Sequence, residues 1–317
     1  MKKNLLTTID LFAGIGGIRK GFEDAGFSTL FANDFDGYCK YTYDLNFDKP
    51  YLFIEDLRKL KDSDLPDKFG ALLGGFPCQP FSIAGYRKGF DDKNRGNLFW
   101  DIVNILKKKK PSLVFLENVK NLYSHDSGNT YKVIEESLNS LGYKIKTKIL
   151  NTMEYGNVPQ NRERVYIVGF LSQKAFEVFE FPDKIKLTKK ITDILEKKVP
   201  EKYYYDGKPL YKKLCGTVKS PDTVYQWRRT YVRENKKGVC PTLTANMGMG
   251  GHNVPIIKDH GGIRKLTPLE CARLQGYEDI KLPANLPDSV LYKQFGNSVS
   301  VPVIYRIALN IKKALEA

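Results

Sequence analysis

Histidine is nearly missing, with three in 317 residues, and the chain has only five cysteines. His125, His252 and His260 do not cluster with Cys39, Cys78, Cys215, Cys240 or Cys271. No two cysteines have the two-residue spacing of a zinc or redox site, so no metal is expected. The odd cysteine count argues against a disulfide framework and for a reducing cytoplasm. No apolar run approaches the length of a membrane span. The start, Met1-Lys2-Lys3-Asn4, is basic, but Asp10 interrupts the short apolar run after it, so no signal peptide is expected. Internal repeats and low-complexity linkers are also absent. Acidic residues are the last scarcity: 36 Asp and Glu face 51 Lys and Arg, a formal net charge of +15. Such an excess implies an acidic partner, most commonly nucleic acid.

The excess is concentrated. Between Lys184 and Lys265 there are 19 Lys and Arg against 7 Asp and Glu, so +12 of the +15 falls there. The same stretch holds Tyr203, Tyr204, Tyr205, Tyr211, Tyr225, Trp227 and Tyr231. Interleaved basic and aromatic side chains suit phosphates and bases.

Strand and helix patterns alternate over the first part of the chain. Leu5–Phe12, Thr29–Asn33, Ala71–Gly74, Leu113–Glu117, Lys144–Leu150 and Val165–Phe170 read as strands. Ile18–Ala25, Tyr38–Leu45, Leu98–Lys108 and Thr130–Leu141 read as helices. This predicts a parallel-rich, Rossmann-like α/β sheet with site loops at the strand C-termini. The alternation stops near Phe181-Pro182, and a smaller irregular β domain is expected over 184–263. Leu266–Gly276 resumes a helical pattern, with Thr267 as N-cap and Pro268 as first residue. Phe295-Gly296-Asn297-Ser298 reads as a turn and Val301–Leu315 as a terminal helix.

Four constellations carry chemistry. Asp10-Leu11-Phe12-Ala13-Gly14-Ile15-Gly16-Gly17 places glycines between a first strand and a first helix, where backbone can approach a cofactor. Arg19 stands where a dinucleotide fingerprint has its third glycine. Asp34 can grip ribose hydroxyls, Phe35 can stack on an adenine, and Asp56 can bind an amino group. Cys78, in Pro77-Cys78-Gln79, sits past a strand end in a long polar loop, where a lowered thiol pKa would make it nucleophilic. Glu117 ends an apolar strand, which favours its protonated form; pairing with an arginine for structural reasons is the alternative. Arg162 and Arg164, read as alternate residues entering a strand, would share a face. Two guanidiniums so aimed favour a base carbonyl, a phosphate or a carboxylate.

In this order, with Arg95-Gly96-Asn97-Leu98, Arg264-Lys265-Leu266-Thr267-Pro268-x-Glu270-Cys271-Ala272-Arg273 and Phe295-Gly296-Asn297-Ser298-Val299, the chain resembles the cytosine-5 DNA methyltransferases of bacterial restriction–modification type. The resemblance covers nearly everything outside 184–263. It implies S-adenosylmethionine as cofactor, lined by Phe12, Gly14, Gly16, Asp34, Phe35, Asp56, Leu57, Pro77, Leu98, Asn297 and Ser298. It implies that a cytosine is flipped out of double-stranded DNA, with Cys78, Glu117, Arg162 and Arg164 catalytic. Gln79, Ser82 and Arg95 fall in or beside a loop expected to close over the DNA.

A catalytic domain over 1–183, completed by 264–317, and a target-recognition domain over 184–263 follow from the resemblance. Arg228 and Arg229 are expected DNA contacts there. Thr242 would brace a phosphate, and Gly248, Gly250 and Gly251 would give a turn able to enter a groove. The expected state is a cytoplasmic monomer without metal; whether a cognate restriction endonuclease accompanies it stays open. A transfer-RNA cytosine-5 methyltransferase and a catalytically silent DNA-binding module are the alternatives.

Overall fold

The structure, a computed structural model, describes residues 5–77, 98–235, 238–248 and 254–317. Cys78, Gln79, Ser82, Arg95, Gly250 and Gly251 lie outside the described residues. The chain forms two compact units. One comprises Met1–Leu150, Glu163–Pro182 and Ile304–Ala317; the other comprises Asn151–Arg162 and Asp183–Val303.

In the first unit the central strands are apolar along most of their length because both faces are covered. β1 (Thr7–Leu11), β2 (Ser28–Asp34), β3 (Phe53–Ile54), β4 (Ala71–Gly74), β5 (Leu113–Val119), β6 (Lys144–Asn151) and β8 (Glu163–Phe170) form one sheet, while β7 (Gln160–Asn161) pairs elsewhere. The order is β3-β2-β1-β4-β5-β8-β6. Strands β1 to β5 pair in parallel, as the alternation predicts. β8 runs antiparallel to β5. The stretch from β6 to β8 holds only the single turn Thr152–Tyr155 and β7.

The helices follow from spacing and caps. α1 (Gly17–Asp24) and α2 (Gly37–Asn46) follow β1 and β2, and the Asp36 side chain caps α2 by accepting from the Tyr38 amide. α3 (Phe99–Lys109) buries Phe99, Ile102, Val103 and Leu106, one helical face, and its last turn carries three lysines that suit the dipole. Phe99, Ile102 and Leu106 join Ile9, Leu11, Leu72, Val114 and Leu116 in the main core.

The second unit is β-rich, as expected, but its sheet is regular. β9 (Val224–Arg228) and β10 (Tyr231–Asn235) form a hairpin, β11 (Cys240–Pro241) pairs in parallel with β7, and β12 (Ile256–Asp259) and β13 (Gly262–Lys265) form a second hairpin. The four long strands lie in the order β10-β9-β12-β13. Tyr225 and Trp227 pack with Leu214, Val218, Ile256 and Ile263 in its core. The aromatics of this stretch therefore serve mostly packing. Tyr203 is buried too, and of the seven only Tyr231 stands well exposed, at 58%. α4 (Pro268–Arg273) has the Thr267 cap and leading Pro268 that the sequence predicts, plus a reciprocal bond from the Glu270 side chain.

Phe295–Ser298 is a correction. α5 (Asp288–Asn297) runs through Phe295, Gly296 and Asn297 and stops at Ser298. Burial of Leu291, Tyr292 and Phe295 outweighs the poor helix propensity of one glycine.

Gly21 on α1 meets the terminal helix Val301–Glu316. A Cβ there would come within 2.6 Å of Ile304 Cγ2 and 2.9 Å of the Tyr305 nitrogen. Gly21→Ala gains up to about 1 kcal/mol of helix propensity but overpacks a helix contact, which costs about 1–3 kcal/mol. Net destabilisation in urea unfolding is expected; a more stable variant would show that the helices part freely.

Candidate active site

The site loops gather where the parallel strands end. After β1 the chain enters the left-handed region at Phe12, Gly14 and Gly16. The Gly14 amide donates to Asp34 Oδ2 at 2.8 Å, and the Asp36 amide donates to Asp34 Oδ1 at 2.8 Å. This holds a nearly buried carboxylate at the end of β2, and burial raises its pKa. Phe35 beside it is 73% exposed.

The glycines differ in purpose. Among the described residues nothing lies within 4 Å of a Cβ built on Gly14, whereas one on Gly16 would meet Phe47 Cε2 at 2.3 Å. Gly14 thus has no described side chain against it, and Gly16 makes room for a ring. Arg19 explains that ring's place. It is 3% exposed, stacks on Phe47 with 4.6 Å to the ring centroid, and donates to Tyr43 Oη, the Pro50 carbonyl and the Asp48 carbonyl. The side chain of Asp56 caps the turn Leu57–Lys59 and is paired with Arg58, whose hydrogen bond lowers its pKa to about 2. Leu57 is buried in the core, and Leu98 packs against it.

The second group lies at β4, β5 and β8. Glu117, 7% exposed, is paired with Arg164, the Arg164 Nε lying 3.1 Å from Glu117 Oε1. Register explains the meeting. Val119 pairs with Arg164 and Glu117 with Tyr166, so Arg164 and Glu117 are diagonal neighbours on one face. A Cβ built on Gly75 would lie 3.7 Å from Glu117 Oε2, so the carboxylate sits beside the backbone that leads to Cys78. On the opposite face Asn118 Nδ2 donates to the Phe76 carbonyl at 2.8 Å. That tie fixes the end of β5 to the same segment, and sequence spacing gave no sign of it. Pro77 is exposed.

Arg162 lies outside β8, so strand alternation does not pair it with Arg164. β8 begins at Glu163, and the Arg162 guanidinium donates instead to the carbonyls of Leu243 and Ser298 in the second unit. Gln160 is a further residue that motif reading left without a role: its Oε1 accepts from the Leu243 amide at 3.1 Å. The signal was there in the alternation, since Gln160 and Arg162 are two apart and grip the same residue. The Thr242 hydroxyl donates to the Asn161 carbonyl at 2.7 Å. Ser298 is buried, with Oγ 2.8 Å from Tyr277 Oη, and Asn297 is exposed. Arg228 and Arg229 are exposed at the β9–β10 turn, Arg229 with φ of 51°. No cluster of three metal-binding side chains and no helix long and apolar enough to cross a membrane occurs among the described residues.

An α/β sheet with a glycine turn after β1, a carboxylate ending β2 and a glutamate–arginine pair across β5 and β8 is a methyltransferase architecture. The fold matches the Dnmt2 methyltransferase of S. pombe (TM-score 0.73, 22% identity, 97% of this chain and 99% of that one). It also matches the methyltransferase EhMeth of Entamoeba histolytica (TM-score 0.73, 21% identity, 98% and 99%). The chain belongs to the C-5 cytosine-specific DNA methylase family, whose model matches residues 6–313. It is 54% identical to the Type II methyltransferase M.Bsp6I of Bacillus sp. (strain RFL6), over 98% of this chain and 100% of that protein. It is 39% identical to M.HhaI of Haemophilus parahaemolyticus, over 98% and 95%. Its activity is methylation of cytosine at carbon 5 in DNA, which requires a methyl donor. This decides for DNA over transfer RNA and against a silent binding module.

Asp10 offers a test in this region. It is fully buried in β1. Burial raises its pKa from 3.8 to about 8, with the Arg19 backbone amide and guanidinium pulling the other way. The folded state then holds a proton that the unfolded state releases, so stability falls as pH climbs from 3.8 towards about 8. Asp10→Asn cannot titrate. Urea unfolding at pH 5 and pH 8 should show a smaller difference for the variant than for the parent; equal differences would mean that Asp10 is ionised in the fold.

Proposed function

We propose that the chain flips the target cytosine out of duplex DNA and methylates it through a covalent adduct on Cys78, with S-adenosylmethionine as donor. The observation that carries this reading is the buried Glu117–Arg164 pair beside Gly75, three residues before Cys78. A base within a duplex cannot present its ring to a thiol, so it must leave the stack. The Cys78 thiolate then adds to carbon 6, and ring electrons move toward carbon 5. Glu117 contacts ring nitrogen 3 and the exocyclic amine as charge builds there. Arg164 holds the base carbonyl. The bound cofactor supplies an electrophilic methyl group on a sulfonium. Loss of the carbon 5 proton and departure of Cys78 restore the aromatic ring.

The residues after β1 and β2 fit this cofactor. Gly14 leaves room for close approach, Asp34 presents a carboxylate for ribose hydroxyls, and exposed Phe35 can cover an adenine. Phe12, Gly16, Leu57, Pro77, Leu98, Asn297 and Ser298 complete the proposed set. Asp56 is the weakest member, because Arg58 already occupies its carboxylate.

Residues 184–263 would read the DNA, supported by their charge and by the exposed arginines of the β9–β10 turn. Thr242 already gives its one hydroxyl proton to the Asn161 carbonyl, so bracing a phosphate, which only accepts, would require that hydroxyl to turn. Gln79, Ser82 and Arg95 are proposed DNA contacts on family grounds. The enzyme would work as a cytoplasmic monomer, and the Type II names of its relatives support a cognate restriction endonuclease acting on the same site.

Fluorine at carbon 5 of the target cytosine tests the chemistry. Fluorine cannot leave as a cation, so Cys78 should stay bonded to DNA after methyl transfer. With S-adenosylmethionine present, the adduct should survive denaturation and map to the Cys78 peptide. An adduct on Cys215, Cys240 or Cys271 would refute the assignment, as would no adduct on DNA whose unfluorinated form is methylated. Charge can be tested separately. Non-target duplex affinity should fall with salt at a log–log slope of about −0.9 per phosphate contact. Neutralising Arg228 and Arg229 together should flatten it by roughly two such contacts; an unchanged slope would place them off the DNA.

A further inference from the structure

One buried guanidinium joins two segments of the second unit that carry proposed ligand contacts. Arg162 is 2% exposed. Its Nη1 donates to the Leu243 carbonyl at 2.9 Å and its Nη2 to the Ser298 carbonyl, with the Gly296 carbonyl 3.4 Å from Nη2. Leu243 follows Thr242, and Gly296 and Ser298 flank Asn297. The Leu243 residue is gripped at both polar ends, because its amide donates to Gln160 Oε1. The same two segments also touch directly: a Cβ on Gly296 would lie 2.1 Å from the Thr244 carbonyl oxygen. Gln160 Nε2 reaches the Leu274 carbonyl, and Gln275 Nε2 reaches the Phe295 carbonyl at 2.7 Å, so α5 is tied back into the same network.

A guanidinium has a rigid fork of donors, and these carbonyls are its fixed targets. Moving either segment alone would strip hydrogen bonds from a buried charge, which costs more than losing a neutral bond. The two segments therefore shift together. We propose that Arg162 is a positioning residue that couples DNA binding at Thr242 to cofactor binding at Asn297 and Ser298. The proposal rests on the functional reading above, which supplies those two contacts. Coupling between binding sites is reciprocal, so cofactor should tighten DNA binding by the factor by which DNA tightens cofactor binding.

S-adenosylhomocysteine, which lacks the transferable methyl group, is the probe. In DNA-free protein it should slow hydrogen exchange at the amides of Leu243 and Met247, which are bonded to Gln160 and to the Thr244 carbonyl. With duplex DNA carrying the methylated site, located by bisulfite sequencing, it should raise affinity by ~5–150-fold. Arg162→Lys keeps the charge but not the fork. In this variant each ligand should still bind alone, while the factor falls to near unity. Full coupling in a folded Arg162→Lys variant would overturn the proposal, and a merely structural role would lower its melting temperature without moving the factor. If the variant does not fold, exchange in the parent protein decides: unprotected Leu243 and Met247 amides despite bound S-adenosylhomocysteine would overturn it. Failure of the parent to bind S-adenosylhomocysteine at all would overturn the functional reading and this proposal with it.

Discussion

A β-strand places successive side chains on opposite faces, so a slip of one residue exchanges the faces. The register of β8 on β5 is therefore what the candidate chemistry depends on. With Glu117 opposite Tyr166 and Val119 opposite Arg164, the guanidinium and the carboxylate share a face. Shifted by one, Arg164 would lie on the face of Asn118. The register is held by apolar burial further along, where Val114, Phe115 and Leu116 pair with Gly169, Val168 and Ile167. Gly169 contributes by absence, since a Cβ there would come 2.7 Å from Val114 Cγ1. The packing of an interior thus fixes a polar pair at its edge.

What could be read from the sequence was set by local signals. Ala71–Gly74 matches β4 residue for residue, and the Thr267 cap with Pro268 stands where expected, because capping chemistry and short apolar runs are decided within a few residues. Asp34, Phe35 and Glu117 came from expected strand ends: Asp34 does end β2 with Phe35 just past it, whereas β5 runs on two residues beyond Glu117 to Val119. What failed needed distant neighbours. The tyrosines of the basic stretch read as a binding face, yet Tyr225 and Trp227 close a small core that only the folded sheet creates. Arg162 read as the twin of Arg164, but its partners are carbonyls more than eighty residues away in sequence. Gly296 read as part of a turn, but it lies in α5 and its missing side chain leaves space for the Thr244 carbonyl, which spacing cannot reveal.

The second unit buries a group of charges. Arg264 is fully buried, donates to both carboxylate oxygens of Glu270 at 2.8 Å, and reaches Asp259 through Nε. Glu270 in turn accepts from the Thr267 amide and from the Glu196 amide. One carboxylate thus caps α4, binds β13 and holds the chain at Glu196. Buried pairs of this kind add little net stability over an apolar replacement, but losing one partner is expensive. Their directional bonds allow few other arrangements of α4 against the sheet.

The outer strands of the seven-stranded sheet bear on how the chain behaves when crowded. An open strand offers unpaired amides and carbonyls as a template for a stranger's strand. At one margin β3 has only two residues, too few to seed an added strand. At the other, β6 carries Lys144, Lys146 and Lys148, so an approaching copy would bring like charges together. A ribosome-fresh population of such chains is thereby steered away from sheet-to-sheet polymerisation, and the short β3 and the lysines of β6 act as safeguards against aggregation.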